Sequence, residues 1–475
     1  MQRRQFLFLS ASSLGGVLLA QCGMNQGSNS SSSSNAAPVL KSENRLLEAD
    51  LNIGSGTFSF NGHSGNLLSY NQQIPGPRLE ASPGDTVRIR ATNRLSQPTN
   101  IHYHGLHISP QEPADHIFLQ LSPGETYTYE FTIPENHHST TAFYHPHLHG
   151  YVADQCFGGL GGTFAVRGKL DEIPEIKQAQ EEFVFLKDFD LNWQKTKKGM
   201  MLGREGSLAT VNGQMDPSFS ISKGGLLRLR MVNASISRFY RLQLENHPFY
   251  LIATDGGATS VPIEQSELLL SPGERAEVLI QGNQSSGSYR LLNLPYERVG
   301  MGMMGNGMMG ERKNQGNETE TLATLTYSGE EIEPLSLPKQ LIPLEELPEP
   351  KTVRQFKLNH GMVPGQGMTF LINGQAYDSQ RTDTRVFLDT VEDWEIINTG
   401  MMDHPFHLHT NRFQVVSRNG QAVENRTWKD TVLVPRGESV RIRIPFRDFV
   451  GKTVYHCHIL DHEELGMMGI IAMQS

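Results

Sequence analysis

The chain has 475 residues, more than one ordinary core accommodates and enough for roughly two to four domains. Its 46 glycines and 25 prolines suit many short strands joined by turns, and a formal net charge of -9 leaves no basic face for nucleic acid, which is excluded as an expected partner. With only Cys22, Cys156 and Cys457, a disulfide framework is excluded as well.

In chain order, Met1-Gln2-Arg3-Arg4-Gln5-Phe6-Leu7 and the apolar run to Ala20 read as an export leader too short to span a bilayer. Arg3 and Arg4 ahead of Phe6-Leu7 resemble a twin-arginine signal, a route that exports folded proteins and implies a periplasmic destination. Leu18-Leu19-Ala20-Gln21-Cys22 resembles a lipoprotein cleavage site, although Gln21 stands where a small residue is usual, so Cys22 is a candidate lipid anchor. The tract from Gly27 to Asn35 is a Ser-rich tether, and residues 1–41 are assigned to leader and tether together.

Turn-then-strand phrases follow: Ser82-Pro83-Gly84-Asp85, Ser122-Pro123-Gly124-Glu125, Ser271-Pro272-Gly273-Glu274 and Pro435-Arg436-Gly437-Glu438, each ahead of an alternating strand. Val211-Asn212-Gly213-Gln214 is echoed by Ile372-Asn373-Gly374-Gln375. Echoes this far apart indicate duplicated β-sandwich domains rather than short solenoid repeats. Composition divides the body into domains 42–168, 169–328 and 351–475, with the acidic, proline-rich stretch 329–350 as a linker. The stretch from Arg298 to Gly310, rich in Gly and Met, reads as a mobile loop leaving the second domain.

Ten of the 18 histidines fall into four clusters: His102 and His104; His145 and His147; His404, His407 and His409; and His456 and His458 around Cys457, with His462 following. An isolated histidine is usually a surface or hydrogen-bonded core residue, but four His-x-His pairs and a flanked cysteine together outweigh chance. On a strand, residues i and i+2 share a face while i+1 takes the other. Each His-x-His pair therefore offers two imidazoles side by side, and eight of them suit a cluster of three metal ions. In His456-Cys457-His458 the imidazoles face one way and the thiolate the other, so one strand can join two sites. Cys457, His404, His462 and Met467 form a trigonal His2Cys set with a weak axial thioether, the pattern of blue-copper electron transfer. Structural zinc is the plainer alternative, but it leaves eight histidines unexplained and lacks its Cys-rich spacing.

These four motifs, in this order, resemble those of the three-domain multicopper oxidases, which include laccases, bacterial copper-efflux oxidases, spore-coat laccases and bilirubin oxidases. The resemblance runs from about residue 45 to the end. It implies an all-β protein of three cupredoxin-like Greek-key β-sandwich domains holding four copper ions, with O2 as electron acceptor and a monomeric state. It assigns His404, Cys457, His462 and Met467 to a type 1 copper, and His102 and His407 to the type 2 copper. The type 3 pair takes His104, His145, His147, His409, His456 and His458. Reduction of O2 to water consumes protons, and Asp115 and Glu463 resemble the family's acidic residues near the cluster; each is otherwise an ordinary solvated carboxylate.

For the reducing substrate, Met301, Met303, Met304, Met308 and Met309 in the glycine-rich loop, with Met401 and Met402 ahead of His404, offer soft thioethers suited to Cu(I). They resemble the methionine-rich feature of copper-efflux oxidases, although Gly400 stands where those carry an acid and Asp403 is displaced from that position. Cu(I) oxidation is therefore the favoured expectation, with Fe(II) as a further metal substrate. The competing one is laccase-like or bilirubin-oxidase-like oxidation of phenols, aromatic amines or tetrapyrroles, with the Met loop as a lid. A structural relative without copper would lack ligands that this chain has, and a copper store would not need a complete cluster. Cys156 reads as a reduced buried thiol, His137 and His138 as loop residues, and His107, His116 and His149 as hydrogen-bonding groups near the ligands. Asp255-Gly256-Gly257 reads as a turn, and Trp428-Lys429-Asp430-Thr431 as bordering the blue site or packing the third domain.

Overall fold

The computed structural model describes residues 38–195, 200–299, 318–365 and 367–475. The leader, Cys22, and Met301, Met303, Met304, Met308 and Met309 lie outside the described residues.

The turn phrases work as their chemistry requires. In Ser82–Asp85, Ser122–Glu125 and Ser271–Glu274 the fourth residue's N–H donates to the first residue's carbonyl at 3.0, 3.1 and 3.0 Å. In the same turns the closing carboxylate accepts the first residue's N–H at 2.8, 2.7 and 2.9 Å. The glycines take φ of 84, 83 and 83°, the third position of a type II turn that a Cβ would strain. Ser222-Lys223-Gly224-Gly225 makes the same turn without Pro or acid, with Gly224 at φ 86°. Before the strand Thr390–Asn398, Asp389 at φ 58° takes the glycine's place.

These turns launch strands that repeat three times. Leu46–Phe60 runs parallel to Thr86–Asn93, Gln180–Phe189 to Leu226–Asn233, and Thr352–Val363 to Thr390–Asn398. Each second strand then pairs antiparallel with the strand that follows another turn: Thr126–Thr132, Arg275–Gln281 and Ser439–Phe446. A second sheet in each repeat shares a parallel pair: Gly76–Ala81 with Gly162–Val166, Ser218–Ile221 with Glu320–Tyr327, and Thr384–Phe387 with Met468–Gln474. Strand alternation fills the space between the sheets: Val87, Ile89 and Ala91 are buried while Arg90 is exposed, and Val440, Ile442 and Ile444 are buried likewise. The fold is all-β with three cupredoxin-like sandwiches.

The first strand, Val39–Lys41, pairs with Gly76–Ala81, so the first sheet takes up residues that composition had grouped with the tether. Between the first and second repeats, Arg230 donates to Thr141 Oγ1 at 2.8 Å and Thr141 donates to Glu277 at 2.6 Å, while Arg228 pairs with Glu277 and Asp171. Buried charges at this interface are thus paired and hydrogen-bonded, the condition under which burial is tolerated.

Candidate metal centre

In the second sheet of the third repeat, the strand His404–Leu408 lies antiparallel to Gly451–Cys457, with Phe406 opposite Cys457 and His407 opposite His456. Alternation then turns His404 toward one end of the sandwich with Cys457, and His407 toward the other face with His456. Cys457 Sγ lies 3.4 Å from His404 Nδ1 and 3.8 Å from His462 Nδ1, and the two Nδ1 atoms are 3.3 Å apart. His462 sits on the short helix Leu460–Glu464, which Arg204 clamps from the second repeat through Asp461 at 2.7 Å. Phe370 stacks on the His462 ring at 3.9 Å, and Met467 is fully buried, its N–H donating to the His462 carbonyl and its carbonyl accepting from Cys457 N–H.

The other eight histidines come together between the first and third repeats. His102 lies opposite His145 across an antiparallel pair. Across the interface, the His102 and His409 rings stack at 3.9 Å, and those of His104 and His407 at 3.8 Å. Nε2 of His456 is 3.1 Å from Nε2 of both His147 and His409, and His458 Nε2 is 3.2 Å from His104 Nδ1.

The backs of the rings show which nitrogen is left free. His145, His407 and His456 direct Nδ1 to the carbonyls of Pro146, Asp430 and Cys457 at 2.9 Å, and His102 directs Nδ1 to Asp115 at 2.8 Å. Those acceptors fix the proton on Nδ1 and leave the Nε2 lone pair facing inward. Nε2 of His102, His145 and His407 is accordingly buried without a partner. His104 is reversed: its Nε2 faces Asp430 at 3.2 Å, leaving Nδ1 toward His458.

Asp430 is a residue whose position the sequence did not disclose. It lies against the histidine cluster rather than the Cys457 site, held by Arg275 of the second repeat through two 2.6 Å bonds. Thr431 Oγ1 completes this back wall, 3.0 Å from His407 Nδ1. Two glycines make room for it. Gly105, at φ 90°, leaves the space that the Arg275 guanidinium fills, and a Cβ on Gly273 would meet the His458 ring at 2.7 Å. His104 is thus followed by glycine because a cation packs there, and a repeated turn motif seats a cluster histidine.

Of the two singled-out acids, Asp115 is buried, accepts from Tyr103 N–H at 3.0 Å as well as from His102, and is pushed up to about 7 by burial. Glu463 is fully buried with neither oxygen hydrogen-bonded; Oε2 lies 3.3 Å from His456 Nδ1 and Oε1 3.8 Å from His147 Nδ1. Burial holds it well above the usual carboxylate range. Cys156 is buried 3.7 Å from His145 Nδ1. His107 bonds the Thr410 carbonyl and Asp448, while His116 and His149 stand 3.3 Å from Glu112 and 3.6 Å from Glu464, not against the clustered imidazoles. Asp255 does lie in a turn, but its carboxylate is fully buried and accepts from Arg275 N–H at 2.6 Å. Met402 packs in the third core at 1% exposure while Met401 is 43% exposed.

The donor sets fit transition-metal ions. Burial pulls down the imidazoles of His102, His104, His145, His147, His409, His456, His458 and His462, and that of His404 to about 3, so these present neutral lone pairs. A metal about 2.0–2.1 Å from each nitrogen holds tetrahedral ligand atoms roughly 3.3 Å apart. The observed nitrogen–nitrogen separations of 3.1 to 3.3 Å match that spacing, and Cys457 Sγ stands 3.4 and 3.8 Å from the two nitrogens beside it. Donors of His404, Cys457 and His462, and of His147, His409 and His456, each lie within 4.8 Å of one another. The buried Cys457 thiol is pushed up by its surroundings, so a thiolate there needs a cation beside it.

Fold and site define a class: a three-sandwich, copper-type protein with a thiolate site wired to a histidine cluster. Three family models described as multicopper oxidase match residues 52–171, 184–330 and 348–474. The chain belongs to the multicopper oxidase family; it is an oxidase, and the metal of the family is copper. It is 31% identical over 424 residues to a multicopper oxidase of Staphylococcus haemolyticus, covering 86% of this chain and 83% of that protein. Among solved structures it resembles a Campylobacter jejuni multicopper oxidase described as a metallo-oxidase, with TM-score 0.80, 32% identity, and coverage of 93% and 94% of the two chains. A Pediococcus acidilactici laccase structure matches with TM-score 0.77 and 28% identity over 92% and 93%.

Proposed function

We propose that this oxidase takes single electrons from a small reducing substrate at the Cys457 site, with Cu(I) the favoured substrate, and delivers them to O2 at the histidine cluster, forming water. In this reading His404, Cys457, His462 and Met467 hold one copper; His102 and His407 hold the second; His104, His145, His147, His409, His456 and His458 hold the remaining pair. Copper at these positions supplies one-electron redox chemistry and the reduction of O2. The observation that carries the reading is the run His456-Cys457-His458: Sγ lies 3.4 Å from His404 Nδ1, while His456 Nε2 and His458 Nε2 lie 3.1 and 3.2 Å from nitrogens of His147 and His104. One residue of backbone therefore separates the two sites.

Asp115 and Glu463 hold protons beside the cluster in this scheme. Asp115→Asn and Glu463→Gln are each expected to lower kcat by ~10²–10⁴, with the blue absorption of the Cys457 site unchanged. An unchanged kcat in both variants counts against a proton role.

The preference for Cu(I) rests on Met301, Met303, Met304, Met308 and Met309 and on Met401 and Met402 ahead of His404, and a hairpin adds two exposed thioethers. Met362 and Met368 face each other across an antiparallel hairpin and are 73% and 41% exposed. His360, on the same hairpin, has a buried Nδ1 without a partner; a Cβ on Gly400 would lie 3.7 Å from it and 3.7 Å from His404 Nε2. Sequence reading missed this hairpin because its two methionines belong to no run. Steady-state oxidation of Cu(I), Fe(II) and a phenol should be compared for the wild type, the triple variant M362L/M368L/M401L, and a chain lacking residues 301 to 309. A selective fall in Cu(I) kcat/KM, roughly tenfold or more, is expected. Preserved Cu(I) turnover with altered phenol access would favour the laccase-like reading, which the similarity to a laccase supports.

Export to the periplasm by the Arg3-Arg4 leader and a monomeric state complete the proposal, with cleavage of the leader and lipid anchoring at Cys22 as its two alternatives. No described helix is long and apolar enough to cross a membrane.

A further inference from the structure

A crevice between the first and third repeats, lined by His107, His138, Glu345, Arg412, Trp428 and Asp448 among others, encloses about 60 Å³. Its charges pair off with one exception. His107 directs Nε2 to Asp448 at 2.8 Å and Nδ1 to the Thr410 carbonyl at 2.7 Å. Arg447, on the rim, pairs with Glu345 at 2.8 Å. Arg412 is left over. Its guanidinium lies 4.1 Å over the Trp428 ring and donates from Nη1 to the Gly256 carbonyl at 2.8 Å, and among the described residues it has no carboxylate within ion-pair distance. A guanidinium has five N–H donors, so most of those of Arg412 are left for the crevice. His138 adds a buried Nε2 with no protein partner. A largely enclosed cation without a counter-charge is costly, and burial pulls Arg412 down to about 10.

We propose that this crevice binds one small inorganic anion of halide size, held by the Arg412 guanidinium and by His138 donating from Nε2. About 60 Å³ is open to the centre of a water-sized sphere, several times the ~10–15 Å³ that one water needs, so a small anion fits. Trp428 and Arg412 form a stacked wall, and the neighbouring carboxylates already bond His107 and Arg447, so an incoming anion meets a guanidinium that no carboxylate pairs with. The location gives the site a consequence. A smaller cavity shares His107, His138, Asn411 and Arg412 with this crevice and reaches Gly105 and Asp430, whose carboxylate contacts His104. An anion at Arg412 therefore stands at the outer end of the approach to the back wall of the histidine cluster.

Bromide soaked into crystals of the copper-loaded protein tests this without any substitution. An anomalous peak within hydrogen-bond reach of Arg412 and His138 is expected, and bromide ordered only elsewhere overturns the site. In solution, chloride replacing gluconate at constant ionic strength should raise the melting temperature of the copper-loaded protein and saturate. R412Q should raise the half-saturating chloride concentration roughly tenfold or more, the scale of a lost charge-assisted hydrogen bond, while R412K keeps a saturable response. A response that never saturates, or that is the same in R412Q, means an adventitious ion only and ends the proposal. Should R412Q fail to fold, the bromide peak and the saturation of the wild type still decide.

Discussion

Cys457→Ser is expected to abolish the blue absorption and bring turnover to background for every reducing substrate, while the histidine cluster keeps its copper. The asymmetry follows from where the side chain and the backbone of this residue go. Sγ faces only His404 and His462, and a serine hydroxyl offers neither the softness nor the ready ionisation of a thiolate. The backbone is fixed independently: Cys457 N–H donates to the Met467 carbonyl at 3.0 Å, and Phe406 stays opposite Cys457 in the ladder. His456 and His458 should therefore hold their positions, and the eight clustered imidazoles contain no atom of Cys457. Copper analysis, optical spectra and O2 uptake on one preparation read all three effects. Turnover near that of the wild type would mean that electrons reach the cluster without this thiolate, and would sink the proposed path.

What could be read in advance divides along the range of the interactions. A His-x-His pair on a strand states its own geometry, because the alternation that places His102 beside His104 is local. The turn Ser82–Asp85 does so too: the Gly φ, the Pro and the closing acid act within four residues. Three-fold repetition was legible through the Pro-Gly copies of that turn. Its other forms were not: Ser222–Gly225 keeps only the serine and the glycine and the strand start at Thr390 only a left-handed residue, so the repeat there lies more in backbone conformation than in letters. The back wall of the cluster was illegible for a stronger reason. Arg275 and Asp430 are 155 positions apart and meet only when two domains pack, and nothing near Arg275 in the chain marks it as more than the first residue of a strand. Likewise, Met362 and Met368 become a pair only through the hairpin register.

Arg275→Met should be the costliest single change outside the ligands, since all five guanidinium donors are committed. Nη1 and Nη2 each reach one Asp430 oxygen at 2.6 Å, and the remaining donors satisfy the carbonyls of Thr141, Gly273 and Asp255 at 3.0 to 3.1 Å. Burial by itself would raise the Asp430 carboxyl; Arg275, and after it His104, hold it well below the usual carboxylate range. Removing the guanidinium strands that charge, and breaking a buried pair from one side costs about 3–5 kcal/mol. The same loss frees the acceptor that orients His104, so cluster copper affinity should fall about 10–100-fold. Lysine carries three donors on a compact ammonium and cannot replace a planar fork that meets four partners, so R275K should recover only part of either quantity. The double variant R275M/D430L separates the two roles. With both charges gone the burial penalty disappears and much of the stability should return, yet His104 still lacks the carboxylate that fixed its ring, and copper affinity should remain low. Denaturant unfolding of the metal-free protein reads the first quantity and copper titration the second. Stability and copper affinity recovering together in the double variant would reduce Asp430 to a structural partner of Arg275, whereas stability alone recovering identifies it as the group that holds His104 in its ligating orientation.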